Sequence, residues 1–202
     1  MLRLALVALL GLAGMAMAET PVVKMIEHER RVMKALPDAR LAKLLERPAL
    51  EVEYSQEWLA GLEVKPAGAD WRCLAEALYF EARGESVQGQ FAVAEVILNR
   101  VDSKEYPDNV CGVVHQGTGR KYQCQFTYTC DGHKDVITEH QAFNMAGKIA
   151  HLMVQGAPRP LTKGATHYHT RAVSPSWSRR FPRTATIGVH HFYRMPTRVS
   201  SN

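Results

Sequence analysis

Acidic residues are scarce in the second half of this 202-residue chain. Residues 112–202 hold 12 Lys and Arg side chains but 3 Asp and Glu, and no acid lies beyond Glu139. Residues 1–111 have the opposite balance, with 13 basic and 17 acidic side chains. We therefore expect the second half to attract a polyanion, a class that includes nucleic acids, anionic membranes and acidic wall polymers.

Long apolar runs are also lacking, apart from one at the N-terminus. Residues 4–12 form an apolar run after a basic start at Arg3, and Ala16-Met17-Ala18 provides the small residues that signal peptidase requires. This pattern predicts a cleaved signal peptide over residues 1–18. An uncleaved anchor is the alternative, although the run is shorter than the ~20 residues that cross a bilayer. We expect an exported protein, periplasmic or associated with the cell wall, with no membrane span after signal cleavage.

Cysteine is rare, and the chain contains no Cys-x-x-Cys pair. Its four cysteines are Cys73, Cys111, Cys124 and Cys130. In an exported protein an even number predicts two disulfides, for which three connectivities are possible. The close spacing of Cys124 and Cys130 favours a local loop closure, which leaves Cys73 with Cys111. A zinc site and a cysteine nucleophile are the alternatives.

The composition divides the chain into regions. Residues 19–69 combine many charges with short amphipathic segments that prolines interrupt, which is typical of an arm or linker. Such an arm could tether the protein to another envelope protein. We expect the functional domain over residues 70–195 and a tail over 196–202.

The domain changes from helical periodicity to strand alternation along its length. Asp70 as N-cap and Gly84 as helix breaker predict one helix, and apolar periodicity predicts two more, near 87–101 and 138–155. Alternation over residues 166–170, a turn at 174–176 and the β-branched and aromatic residues over 186–193 predict a small β-hairpin element. The expected fold class is α+β and mainly helical.

Two glutamates at the end of the first predicted helix are candidates for acid–base chemistry. Glu81 and Glu85 lie four residues apart, so we expect them on one helix face, and Glu81 continues the apolar stripe that contains Leu78. Burial raises the pKa of a carboxyl group, which then stays protonated near neutral pH and can donate a proton. Two surface carboxylates, one of them paired with Arg83 or Arg100, are the simpler alternative.

The motifs around these glutamates resemble the spore cortex-lytic, or SleB-type (CwlJ-like), cell-wall hydrolase family. The resemblance covers roughly residues 70–193. It is carried by Glu81-Ala82-Arg83-Gly84-Glu85 joined to Gly89-Gln90 and Asn99-Arg100, by Gln123-Cys124-Gln125-Phe126-Thr127, and by Trp177 followed by Ile187-Gly188-Val189-His190. Phe91 is a mild departure, because a smaller aliphatic residue is expected there.

The resemblance implies a lysozyme-like domain that cleaves peptidoglycan glycan strands between N-acetylmuramic acid and N-acetylglucosamine. It places the catalytic acid best at Glu81. Glu85 is the second candidate for the catalytic acid, and a structural or substrate-orienting role fits it better. Gln125 and Thr127 could then bond the acetamido groups of the sugars, beside Phe126. Packing of Phe126 into the core is the alternative for this loop.

Further aromatic and histidine side chains lie near the C-terminus. Tyr168 and Trp177 could stack on sugars, and burial in a small domain is the alternative. His167, His169, His190 and His191 could together ligate zinc, but the chain lacks a helical His-Glu-x-x-His motif, so we predict no metal and no other cofactor.

The small number of acids after Glu85 bears on the reaction type. Hydrolysis by retention or inversion normally needs a second carboxylate. We therefore favour a lytic transglycosylase, in which the muramic acid's own 6-hydroxyl attacks C1 and leaves a 1,6-anhydro end. The alternatives are a hydrolytic muramidase or glucosaminidase, a zinc peptidoglycan amidase, and a non-catalytic wall-binding protein. Nucleic-acid binding fits least, because the basic residues are dispersed and the chain is exported.

Overall fold

A computed structural model describes residues 21–35, 50–120 and 123–196. These residues belong to two compact units, Met1–Pro48 and Ala49–Asn202. The predicted signal peptide over residues 1–18 and residues 197–202 of the predicted tail lie outside the described residues. Among the helices that the structure describes, none combines the length and apolar character that crossing a membrane requires.

Helix α1, Pro21–Ala35, is the described part of the first unit. Several of its apolar side chains are exposed, among them Val22, Met25 and Ile26. The remaining apolar residues predicted to form amphipathic segments in this arm, Leu36 to Leu45, lie outside the described residues.

The second unit contains five helices in its described residues. They are α2 Gln56–Gly61, α3 Ala69–Ala82, α4 Val87–Val101, α5 Val110–Val114 and α6 His140–Val154, with single 3-10 turns at Thr127–Cys130 and Ser176–Arg179. Helix α3 is central, because it packs against α4, α5 and α6. Leu74, Leu78 and Ile149 are fully buried between these helices. Leu59 of α2 is buried in the same core, so residues that we expected in the arm pack into this unit.

The helix boundaries differ from the predicted ones where local signals compete. Helix α4 has the bounds expected from its apolar periodicity. Helix α3 begins two residues earlier than an N-cap at Asp70 predicts: Gly68 is the N-cap, with a φ of 86°, and Asp70 lies in the first turn. An acidic side chain there interacts favourably with the helix dipole. Helix α5 was not predicted, because five residues are too few to show a period.

The strands form one antiparallel sheet in the order β1-β3-β2. Strands β1, His167–Thr170, and β3, His190–Tyr193, pair as the predicted β-hairpin element requires, and β2, Arg183–Ile187, which was not predicted as a separate strand, adds a third strand on the other side of β3. Alternation along β3 directs Phe192 toward α4, where it is fully buried. The structure thus confirms a mainly helical α+β fold with a small β element near the C-terminus.

The structure also confirms two disulfides. Cys73 of α3 is bonded to Cys111 of α5, and Cys124 is bonded to Cys130. The first bond joins two helices of the core. The second closes the loop that precedes α6.

A buried carboxylate fixes the segment that leads into the sheet. Glu95 of α4 is 1% exposed and accepts hydrogen bonds from the backbone N–H of Leu161 at 2.9 Å and of Thr162 at 2.8 Å. The hydroxyl of Thr162 donates a third bond at 2.7 Å. One turn later, Asn99 donates to the carbonyl oxygen of Ala165 at 2.9 Å. Helix α4 therefore determines where β1 begins.

Replacing Glu95 by Leu should lower the free energy of unfolding by about 3–5 kcal/mol, because three donors lose their acceptor inside the core. Urea denaturation of the full chain measures this effect. The exposed Glu105→Gln serves as control and should change stability by less than about 0.5 kcal/mol. Equal denaturation midpoints for the Glu95 and Glu105 variants would show that the hydrogen bonds to Glu95 do not hold residues 161 and 162 in place.

Candidate active site

Glu81 lies in the last turn of α3, where its side chain is partly buried. Burial raises the pKa of this carboxyl group above its ordinary value of 4.5, and the positive charge of Arg100 opposes the rise. The net direction is upward, so the protonated form persists to higher pH than in an exposed glutamate. A poorly solvated carboxyl group at this position is what the apolar stripe of the helix predicts.

Arg100 is the charged group that acts most directly on Glu81. It lies in the last turn of α4 and is 3% exposed. Its Nε donates to the carbonyl oxygen of Thr166 at 2.7 Å. The side-chain amide of Gln125 is oriented so that its oxygen faces Arg100. This oxygen accepts hydrogen bonds from Nη1 of Arg100 at 3.1 Å and from Nη2 at 3.3 Å.

The charge of Arg100 is not neutralised by direct contact with an acid. Among the described residues, no carboxylate lies within ion-pair distance of Arg100. The rings of Tyr106 and Phe126 flank its guanidinium, at 5.5 and 5.8 Å from the ring centroids. The positive charge therefore remains available to stabilise the ionised form of Glu81.

Two tyrosines complete the surroundings of Glu81. Burial and then the charge of Glu81 raise the pKa of Tyr168, which lies in β1. Burial, followed by the charges of Glu76, Glu81 and Asp135, raises the pKa of Tyr128. Both side chains are therefore neutral hydroxyl groups at physiological pH.

The hydroxyl of Tyr128 is a buried polar atom without a hydrogen-bond partner among the described residues. Its ring stacks on Phe80, with 4.6 Å between the centroids, which fixes the orientation of the side chain. Buried hydroxyl groups are nearly always paired in native proteins. The orphaned hydroxyl is consistent with a site that a polar ligand completes.

We expected Glu85 on the same helix face as Glu81, but the structure does not place it there. Helix α3 ends at Ala82, so Glu85 lies in the following turn. Its side chain is 12% exposed, and its Oε1 lies 3.5 Å from Nδ1 of His190. That contact does not have hydrogen-bond geometry, and Nδ1 has no other partner among the described residues. Burial lowers the pKa of His190, so the imidazole beside Glu85 is neutral near pH 7.

Two glycines make room for the Glu85 side chain. A Cβ atom on Gly89 would lie 2.9 Å from the Cβ of Glu85, and one on Gly188 would lie 2.2 Å from its Oε2. Gly188 also has a φ of 56°, in the left-handed region that favours glycine. The carboxylate of Glu85 is therefore enclosed between α4 and the β2–β3 turn.

Part of the loop over residues 123–127, which resembles a family motif, contacts the candidate site. Gln125 bonds Arg100, as described above, whereas Phe126 is 2% exposed and belongs to the core, the alternative that we considered. Thr127 is exposed and lines a cleft of about 1010 Å³ together with Tyr128 and Asp135. Glu81 does not line this cleft; Tyr128 lies beside both.

The two residues predicted to stack on sugars are separated by the sheet. Tyr168 packs on the inner face with Phe192, at 6.0 Å between ring centroids. Trp177 lies on the outer face against Tyr193, at 5.3 Å.

The histidines considered as zinc ligands are divided in the same way. His190 is buried on the inner face, whereas His169 stacks on Tyr193 on the outer face. In the part of the chain that the structure describes, no group of three or more His, Cys, Asp or Glu side chains is arranged to hold a metal ion.

No catalytic or binding role was predicted from the sequence for Arg100 or Tyr128. A signal for Arg100 was present, since it shares a stripe with Val93 and Ile97 on a helix that is apolar nearly all round. An arginine at such a position is rarely buried unless it has a specific function. No comparable signal exists for Tyr128, whose placement depends on the loop conformation.

A partly buried carboxyl group with a raised pKa, a buried guanidinium and an unpartnered hydroxyl define a site suited to general acid–base chemistry. A family model described as Cell Wall Hydrolase matches residues 84–193, more than half of the chain. The protein belongs to this cell wall hydrolase family. The match includes Glu85 and Arg100 and begins just after Glu81.

Two curated relatives support the same assignment. The spore cortex-lytic enzyme of Halalkalibacterium halodurans is 38% identical over 133 residues, 63% of this chain and 36% of the relative. The spore cortex-lytic enzyme of Bacillus subtilis is 32% identical over 126 residues, 61% of this chain and 37% of the relative. The chain thus spans about a third of the length of these curated relatives.

A solved structure confirms the fold. It is described as the catalytic domain of the germination-specific lytic transglycosylase SleB from Bacillus anthracis. The TM-score is 0.51 at 33% identity, and the similarity covers 65% of this chain and 100% of the other. The resemblance stated from the sequence motifs is therefore confirmed at the level of family and fold.

The raised pKa of Glu81 predicts a pH-dependent contribution to stability. Because the folded state holds the proton more tightly, this contribution is fully present below pH 4.5 and is lost as the pH rises through the raised pKa. Glu81→Gln lacks this titration, so its stability relative to the wild type should increase from about pH 4 to about pH 7.5. Urea unfolding of both proteins across that range measures the difference, and a difference that stays constant with pH would contradict a buried, titrating Glu81.

Proposed function

We propose that the protein cleaves peptidoglycan glycan strands between N-acetylmuramic acid and N-acetylglucosamine, with Glu81 as the single general acid and base. The observation that carries the proposal is the raised pKa of Glu81, caused by burial, next to a hydroxyl that lacks a partner. Family membership and the likeness to a lytic transglycosylase domain support a glycan substrate.

The proposed reaction uses the carboxyl group of Glu81 twice, first as an acid and then as a base. Protonated Glu81 donates its proton to the bridging oxygen while the bond from C1 of the muramic acid to that oxygen breaks, which releases the N-acetylglucosamine end as an alcohol. The Glu81 carboxylate then accepts the proton of the muramic acid's 6-hydroxyl as its oxygen bonds to C1. The product carries a 1,6-anhydro ring, and Glu81 is protonated again.

Arg100 supports both steps in this scheme. Its charge stabilises the carboxylate that forms when Glu81 gives up its proton, which makes the donor stronger than burial alone would allow. Its bonds to Thr166 and Gln125 hold it in place without neutralising it. Tyr128 offers a hydroxyl that can bond a sugar substituent in the adjacent cleft.

The positions of other acids favour transglycosylation over hydrolysis. Glu85 is enclosed by Gly89 and Gly188 and faces His190, so a role in orienting the sheet suits it better than contact with water. Asp135 is exposed and lines the cleft beside Tyr128, which makes it the residue to test for a hydrolytic mechanism.

Export and attachment of the arm to an envelope protein remain predictions from the sequence.

Digestion of purified sacculi followed by mass spectrometry tests the reaction. The wild-type protein should release muropeptides with anhydro ends, lighter by one water than hydrolysis products. Glu81→Gln should reduce release by about 10²–10⁴-fold, because an amide cannot donate and recover the proton. Asp135→Asn is the matched control and should retain activity.

Other products would favour other functions. Hydrated reducing ends that disappear with Asp135→Asn would show hydrolysis with two carboxylates. Release of peptides without glycan cleavage, abolished by a chelator and retained in Glu81→Gln, would show a zinc amidase. Binding to sacculi without any released fragment would show a non-catalytic wall protein.

A further inference from the structure

The outer face of the sheet carries an aromatic cluster that the proposed reaction does not use. Trp177 is partly buried and lies 5.0 Å from His167, 5.8 Å from Phe181 and 5.3 Å from Tyr193, between ring centroids. Partly exposed aromatic rings offer apolar area with a polar edge, the kind of surface on which the C–H faces of sugar rings pack.

Exposed arginines surround this cluster. They are Arg171, Arg179, Arg180 and Arg183. The sheet register pairs Arg183 with Tyr193, and the Nε of Arg183 donates to the Tyr193 hydroxyl at 3.1 Å, at one end of the sheet. The N–H of Arg171 donates to the carbonyl of Val189 at 2.9 Å, at the opposite end.

No acid compensates this positive charge locally. Residues 140–202 contain no Asp or Glu, and among the described residues none of the four arginines takes part in an ion pair. Burial, followed by the charges of Arg183, His169 and Arg171, lowers the pKa of His191, which lies on the same face.

The aromatic cluster is continuous with the candidate site. The ring of Tyr106 flanks Arg100 at 5.5 Å and lies 6.5 Å from the ring of His167, which contacts Trp177. Burial and then Arg100 lower the pKa of His167 to about 4, so this ring is neutral at pH 7. A row of uncharged rings therefore leads from the neighbourhood of Glu81 to the arginines.

We propose that the outer face of the sheet, formed by Trp177 and the four arginines, is a second binding surface that holds an acidic peptidoglycan strand outside the catalytic site. The rings would contact sugar faces, and the arginines would pair with the carboxylates of the lactyl and peptide groups. The identity of this polymer rests on the proposed function. Aromatic rings between the arginines favour a charged glycan over a lipid surface, which offers headgroups without sugar faces to stack on.

Sedimentation with sacculi tests the surface separately from cleavage. In the full-length Glu81→Gln protein, the triple change Arg171→Gln, Arg179→Gln and Arg180→Gln should weaken binding about tenfold at about 50 mM salt. The affinity of the triple variant should also depend less steeply on salt. The control triple Lys65→Gln, Arg72→Gln and Lys104→Gln removes the same charge from exposed positions elsewhere and should bind within about twofold of its parent.

Trp177 provides an independent readout. Trp177→Ala should weaken sacculus binding without changing its salt dependence, and Trp177→Phe should retain most of the binding, because a ring is kept. Loss in Trp177→Phe equal to that in Trp177→Ala would overturn the stacking role.

The outcomes separate this inference from the proposed reaction. Equal losses in both triple variants would show a general charge effect and overturn the surface. A triple-variant effect on anionic vesicles or DNA, but not on sacculi, would overturn the choice of partner. If the outer-face triple loses sacculus binding while Glu81→Gln alone still releases fragments, the surface stands and the proposed reaction fails. If Glu81→Gln blocks release but the outer-face triple binds normally, the reaction stands and the surface is wrong.

Discussion

The electrostatic balance between Glu81 and Arg100 is the interaction on which the site depends. Burial favours the protonated carboxyl group, and the guanidinium favours the carboxylate. Arg100 can exert this effect because neutral oxygens of Thr166 and Gln125 hold it, and no carboxylate neutralises it within the described residues. A residue that donates a proton and then recovers it needs both forms to be accessible, and opposing influences of this kind provide that.

The same helix that supplies Arg100 holds the rest of the site together. Glu95, Asn99 and Arg100 project from α4 toward the segment between Leu161 and Thr166, and each bonds its backbone. These polar groups are buried, so each unmade bond would be costly, and the segment has few alternative positions. Strand β1 therefore starts at a fixed point, which places the sheet beside α3 and α4.

Local patterns in the sequence were sufficient for α4 and for the local disulfide, because a period of 3.6 residues and a short loop are both readable over a few residues. They failed at Glu85, where the helix stops at Ala82 and the side chain turns toward His190, a partner more than a hundred residues away. They also missed β2 and the turn at Gly188, because the predicted strand over residues 186–193 ran through the point where the chain reverses. The site was predictable as a motif, but its electrostatics required the tertiary structure.

The scarcity of acids in the second half of the chain connects the proposed mechanism with the proposed binding surface. A carboxylate on the outer face of the sheet would neutralise Arg183 or Arg171 and repel an acidic glycan. A second carboxylate near Glu81 would open a hydrolytic route, and the acid nearest in sequence, Glu85, is enclosed at 12% exposure beside a neutral imidazole. Because few acids are available, a reaction whose nucleophile belongs to the substrate suits this protein, since it needs no second catalytic carboxylate. The 6-hydroxyl of the bound sugar is such a nucleophile.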